Sequence, residues 1–93
     1  MTAEEEVFMS KRIILGVQIT NRVKSVPAVQ KILTTHGCNI KTRLGLHEVA
    51  DPTCSTIGLL ILEMVGKPSE ISALEKKLKK VKGVSVKKMV FTE

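Results

Sequence analysis

The chain has 93 residues, 43% hydrophobic and 2% aromatic, with fifteen Lys and Arg against nine acids for a net charge of +6. That length holds one domain and one core and excludes a catalytic domain joined to a separate recognition domain. Its two aromatic residues, Phe8 and Phe91, cannot form a stacking platform for bases, and the longest apolar run, Ile57 to Leu62, is far shorter than the ~20 residues of a membrane helix. The positive charge favours an anionic partner, yet seven of the fifteen cations are lysines between Lys76 and Lys88, the pattern of a solvated helix face. No helix-turn-helix or ribbon-helix-helix segment is present to read a groove, so neither a specific nucleic-acid partner nor a membrane is expected. Cys38 and Cys54 are too few for a disulfide framework. With no signal peptide ahead of them, they read as reduced thiols of a cytoplasmic protein.

Residues 1–10, with Glu4, Glu5 and Glu6 and no usable period, read as a flexible acidic lead-in, and residues 11–93 as the domain. Lys11 to Ile19 alternates as a strand, with Ile13, Leu15, Val17 and Ile19 on one face and Ile14 and Gly16 on the other. A helix follows. Val26, Val29, Ile32, Leu33 and His36 share one side of a 3.6-residue period, with Ser25 as N-cap, Pro27 in the first turn and Gly37 as the stop. From Ile40 to Val49 the period returns to two, Ile40, Leu44 and Leu46 forming the expected buried set and Lys41, Arg43 and His47 the opposite one. Ala50 to Ser55, with its Asp51-Pro52 turn signal, reads as a hairpin loop, and Ser55 to Val65 as a third strand antiparallel to the second. Ile71, Leu74, Leu78 and Val81 mark a second helix stopped at Gly83, and Val84 to Phe91 a fourth strand.

The order βαββαβ is reinforced by an internal echo: Gly37-Cys-Asn-Ile-Lys41 recurs as Gly83-Val-Ser-Val-Lys87, and Ile32 as Leu78. Right-handed crossovers turn a repeated βαβ unit into an α+β, ferredoxin-like sandwich, an antiparallel sheet ordered 4-1-3-2 with two helices on one face. The other face then needs a cover. With Ile57, Leu59 and Ile61 turned toward the helices, the open face collects Ile14, Gly16, Gly45, Gly58, Leu60, Leu62 and Met64. An apolar face containing three glycines predicts close approach by another subunit, hence a homo-oligomer, dimer or tetramer.

Asn21-Arg22, the helix after it, and His36-Gly37-Cys38-Asn39-Ile40 resemble the signature of ACT domains, Asn-Arg-Pro-Gly, a helix of this length and Gly-x-Asn-Ile; Val23-Lys24 stands here for Pro-Gly. More narrowly, Arg43-Leu-Gly-Leu-His47 and Gly58-Leu-Leu-Ile-Leu-Glu63 resemble the small ACT-like proteins described as iron-only hydrogenase system regulators. The resemblance implies a non-enzymatic regulatory module that oligomerises and binds a small effector between subunits, with Asn21, Arg22, Lys24 and Asn39 as effector contacts and no cofactor. Two other readings accompany it. The effector domain of the nickel-responsive repressor shares this topology, which makes His47 and Cys54 the candidate metal ligands. Acylphosphatases also share it, which makes Asn21 and Arg22 the candidates of a phosphate-handling enzyme.

Overall fold

The computed structural model describes residues 11–20, 22–47 and 58–92. Strand β1 spans Lys11–Ile19, helix α1 Arg22–Thr35, a 3-10 turn Gly37–Asn39, β2 Ile40–His47, β3 Gly58–Met64, helix α2 Pro68–Lys79 and β4 Val84–Thr92. The four strands form one antiparallel sheet in the order β2-β3-β1-β4, the expected 4-1-3-2 read from its other edge. Both helices cover the same face. Their Val29, Leu33, Ile71, Leu74 and Leu78 close over Ile13, Leu15, Val17, Ile19, Leu62 and Met64 in a single aliphatic core. The acidic lead-in and the Ala50 to Ser55 loop lie outside the described residues.

Helix α1 begins a turn earlier than its sequence signals suggest. Ser25 is therefore not the N-cap but an interior residue, 5% exposed, whose hydroxyl donates to the Lys82 carbonyl at 2.9 Å. Pro27 lies inside the helix and withholds the donor that the Val23 carbonyl would otherwise receive. Gly37 does not end the helix in a left-handed conformation; it opens the 3-10 turn, and the positive-φ glycines among the described residues are Gly66 and Gly83. In α2 the stripe Ile71, Leu74 and Leu78 is buried as its spacing requires.

The facing of β3 is the opposite of the expected one. Leu15 pairs with Leu62, Val17 with Leu60 and Ile19 with Gly58. Residues directly opposite in an antiparallel pair share a face. Leu62 is fully buried and Met64 is 5% exposed, so Gly58, Leu60 and Leu62 face the helices, whereas Leu59 at 38% exposure and Ile61 face away. The physical cause lies in the run Gly58-Leu-Leu-Ile-Leu-Glu63: it is apolar on both parities, so alternation cannot choose a side and pairing with β1 does.

Strand β2 also departs from simple alternation. Ile40 pairs with Met64 and Thr42 with Glu63, leaving Lys41 as the extra residue of a β-bulge. A bulge inverts the facing of everything after it. Ile40 stays against the core, but Leu44, paired with Ile61, turns to the open face and is 52% exposed. Gly45 turns the other way, to the helix side, where a Cβ would meet the Leu60 side chain at 3.5 Å.

Candidate functional site

The uncovered face of the sheet is the principal candidate surface. Across β2, β3, β1 and β4 it presents Leu44, then Leu59 and Ile61, then Ile14 and Gly16, then Met89 and Phe91. Leu44, Met89 and Phe91 are 52%, 51% and 53% exposed, large apolar side chains left half open to water by the described residues. Charges stand at its margin: Arg12 lies 3.5 Å from Glu63, which also accepts from the Thr42 hydroxyl at 3.1 Å. Gly16 sits in the middle strand, and the nearest heavy atom to a Cβ built on it is the Lys87 carbonyl oxygen at 4.0 Å. Nothing among the described residues requires glycine there.

Of the interface residues expected from the sequence, Ile14 and Gly16 lie on this face. Gly45, Gly58, Leu60, Leu62 and Met64 do not. Leu44, Leu59, Ile61, Met89 and Phe91 take their place, and the bulge at Lys41 together with the β1–β3 register explains the exchange. Met89 and Phe91 carried a usable signal, since the parity of β4 follows once Val84 and Val86 are placed against the core.

The effector candidates are not brought together. Arg22 opens α1, and Lys24 follows within its first turn, whereas Asn39 ends the 3-10 turn beyond the other end of that helix, which at 1.5 Å per residue is roughly 20 Å away. Asn21 lies outside the described residues. Asn39 is 8% exposed and committed internally: its amide donates to the Val65 carbonyl at 3.2 Å and to the Glu70 carboxylate, while its carbonyl accepts from the Val65 N–H at 2.8 Å. These bonds make it a structural tie between the α1–β2 turn and the start of α2. Of the metal candidates, His47 ends β2, paired in register with Gly58, and Cys54 lies outside the described residues. Among the described residues no three His, Cys, Asp or Glu side chains gather as a metal site.

On the helical side, His36 Nε2 lies 3.0 Å from Lys77 Nζ, joining the end of α1 to α2. Partial burial and the Lys77 ammonium hold the His36 pKa below its ordinary value, against a smaller opposing pull from Glu70. Glu75 receives Lys79 at 3.0 Å and Lys88 at 3.4 Å, and the hydrogen bond from Lys79 is the main reason that its pKa is lowered.

The fold and this surface define a two-layer α+β domain whose sheet the described residues leave uncovered on one side. Residues 11–88 match the TM1266-like family, described as "Iron-only hydrogenase system regulator, putative", and the chain belongs to that family. The uncharacterized protein TM1266 of Thermotoga maritima is similar in structure at a TM-score of 0.75 and 25% identity, over 88% of this chain and 99% of that one. A formyltetrahydrofolate deformylase from Pseudomonas putida shares the fold at a TM-score of 0.54 and 12% identity, over 84% of this chain and 28% of its own. The de novo designed protein Foldit4 shares it at 0.51 and 12%, over 89% and 97%. No curated protein matches the sequence. Among the described residues no helix is long and apolar enough to cross a membrane.

Proposed function

We propose that this chain is a non-enzymatic, cytoplasmic regulatory domain of an iron-only hydrogenase system, working as a homo-oligomer in which two copies cover each other's open sheet face. Family membership supports the regulatory reading. The observation that carries the oligomer is the open face itself, where Leu44, Leu59, Met89 and Phe91 share the surface with Gly16, a glycine that no described residue requires. A second copy fits this face because its rim is self-complementary. Glu63 stands with Arg12 at one margin and Lys87 lies on β4 across the face, so both charge signs are available to a two-fold contact, whose apolar centres would meet at the ~10 Å spacing of stacked sheets. Arg22 and Lys24, at the start of α1, are the positions proposed to meet a small anionic effector.

The test is the mass of the native particle, by light scattering and native mass spectrometry at tens of micromolar. Wild type is expected to be an oligomer. Gly16→Glu is expected to keep its circular dichroism but run as a monomer, because a carboxylate buried at an apolar contact costs several kcal/mol. A wild type that is monomeric throughout overturns the assembly. In cells that make an iron-only hydrogenase, loss of the protein should change hydrogenase activity, and unchanged activity overturns the regulatory role. Acyl phosphate turnover that vanishes in Arg22→Ala would replace this reading with the enzymatic one.

A further inference from the structure

All fifteen lysines and arginines of the chain fall within the described segments, together with three of its nine acids, Glu63, Glu70 and Glu75. Each of those three is engaged: Glu63 with Arg12 and Thr42, Glu70 with the Asn39 amide, and Glu75 with Lys79 and Lys88. The other six acids lie outside the described residues; within the described segments the cations outnumber the acids, and the excess is not evenly spread. Lys76, Lys80 and Lys82 are exposed on α2 and in the turn after it, and Lys31 is exposed on α1, none with a carboxylate partner among the described residues.

Backbone contacts bring a further pair of cations to the same end. The Thr20 N–H and hydroxyl both donate to the Gly83 carbonyl at 2.9 Å, and the Ser25 hydroxyl donates to the Lys82 carbonyl at 2.9 Å. The turn carrying Lys80 and Lys82 is thus pinned beside the first turn of α1, where Arg22 and Lys24 are placed. Lys80, Lys82, Arg22 and Lys24 come from two segments more than fifty residues apart in sequence, yet they share one end of the sandwich.

We infer that the helical layer and this end form a sequence-independent binding surface for the phosphate backbone of double-stranded nucleic acid. The partition of apolar residues favours phosphate over an acidic protein. A protein interface needs buried aromatic or aliphatic anchors at its centre. The large exposed hydrophobic side chains, Leu44, Leu59, Val65, Met89, Val90 and Phe91, all lie on strands or in the β3–α2 connection, and none of the described side chains of α1 or α2 joins them. The cations are mostly lysines, flexible point charges spread along a surface, which suits a row of phosphates. Among the described residues no aromatic side chain stands beside them to stack or read bases, so the contact is to the backbone. The inference goes beyond the regulatory reading and does not depend on the sheet-face contact.

The experiment is fluorescence anisotropy of the full chain on labelled mixed-sequence DNA duplexes of about two helical turns across a salt series. With roughly four phosphates engaged, the log-log salt slope is about −3.6, so affinity falls ~150-fold between about 50 and 200 mM salt. Lys80→Gln/Lys82→Gln should flatten the slope by about 2 and weaken binding roughly a hundredfold at the low-salt end. Lys41→Gln/Lys67→Gln, at the opposite end of the sandwich, removes the same charge and should change binding far less. Absence of duplex binding at about 50 mM salt overturns the inference. Equal losses in the two double variants also overturn it, because net charge and not this surface is then responsible. Poly-glutamate displacing the duplex at equal charge concentration overturns it in favour of an acidic protein.

Discussion

A Cβ placed on Gly66 would lie 2.5 Å from the side-chain nitrogen of Asn39 and 3.3 Å from a carboxylate oxygen of Glu70. Gly66 is also held at φ +103°, a conformation that side chains resist. The two residues lock one end of the sandwich, because the Asn39 amide reaches over the bare Gly66 backbone to Val65 and Glu70. Gly66→Ala should cost about 2–3 kcal/mol in urea denaturation, combining backbone strain with displacement of the amide. Asn39→Ala should cost roughly 1–3 kcal/mol, since it removes two part-buried hydrogen bonds made by a buried side chain. The double variant should cost less than the two single losses together, because the clash disappears with the amide. Strict additivity would mean that the two residues are not coupled.

The reversed facing of β3 makes a second pair of expectations. On the Gly16→Glu background, where subunit contacts are removed, Leu62→Ala should lose about 2–5 kcal/mol, while Leu59→Ser should stay within ~1 kcal/mol. Gly58→Glu should unfold the chain and not merely separate subunits, since Gly58 is buried on the helix side. Similar losses for Leu62 and Leu59 variants would contradict the register.

His36 ties pH to the packing of the two helices. Its folded pKa lies below 6.5, so protonation is disfavoured by folding. Both states are neutral well above 6.5 and the contribution is then absent; stability declines as the pH falls below 6.5 toward the folded value. Thermal melts should show this decline for wild type and a flatter profile over the same interval for His36→Gln. Lys77→Met should reduce the decline, because it removes the repelling ammonium, whereas Glu70→Gln should deepen it. Parallel profiles for wild type and His36→Gln would exclude the coupling.

Glu75 acts in the opposite sense. Its pKa is held below 4.5 by the hydrogen bond from Lys79, with Lys88 adding a smaller pull, so its contribution is fully present above 4.5 and is lost as the pH falls through the folded value. Glu75→Gln should cost about 1 kcal/mol at neutral pH, less at high salt, and almost nothing once wild-type Glu75 is protonated. A cost independent of both pH and salt would show that packing and not charge is at work.

Much of the architecture was legible in the chain. Ile13, Leu15, Val17 and Ile19 alternate against Arg12, Gly16 and Gln18, with Ile14 the one large apolar exception, and Ile71, Leu74 and Leu78 repeat at helical spacing, so hydrophobic periodicity alone places their elements and their buried sides. The echo of Gly37 to Lys41 in Gly83 to Lys87 carried the doubled βαβ topology, because each glycine marks the passage from a helical segment into a strand. The short helix signals were weaker guides: Ser25 has the composition of an N-cap, but its hydroxyl serves the Lys82 carbonyl, a partner supplied by the other half of the chain.

The amino-acid pattern by itself determined the element order, the sheet order, the aliphatic core of β1 and both helices, and the presence of an apolar surface left over. These follow from local periodicity, which each segment carries independently of its neighbours. Only the tertiary structure decided which residues form that surface. Leu59, Leu60, Ile61 and Leu62 are equally apolar on both parities, so the choice rests on the pairing of Leu15 with Leu62, and for β2 on the single extra residue, Lys41, that turns Leu44 outward. Register and bulges are properties of strand pairs, and one strand read alone does not contain them.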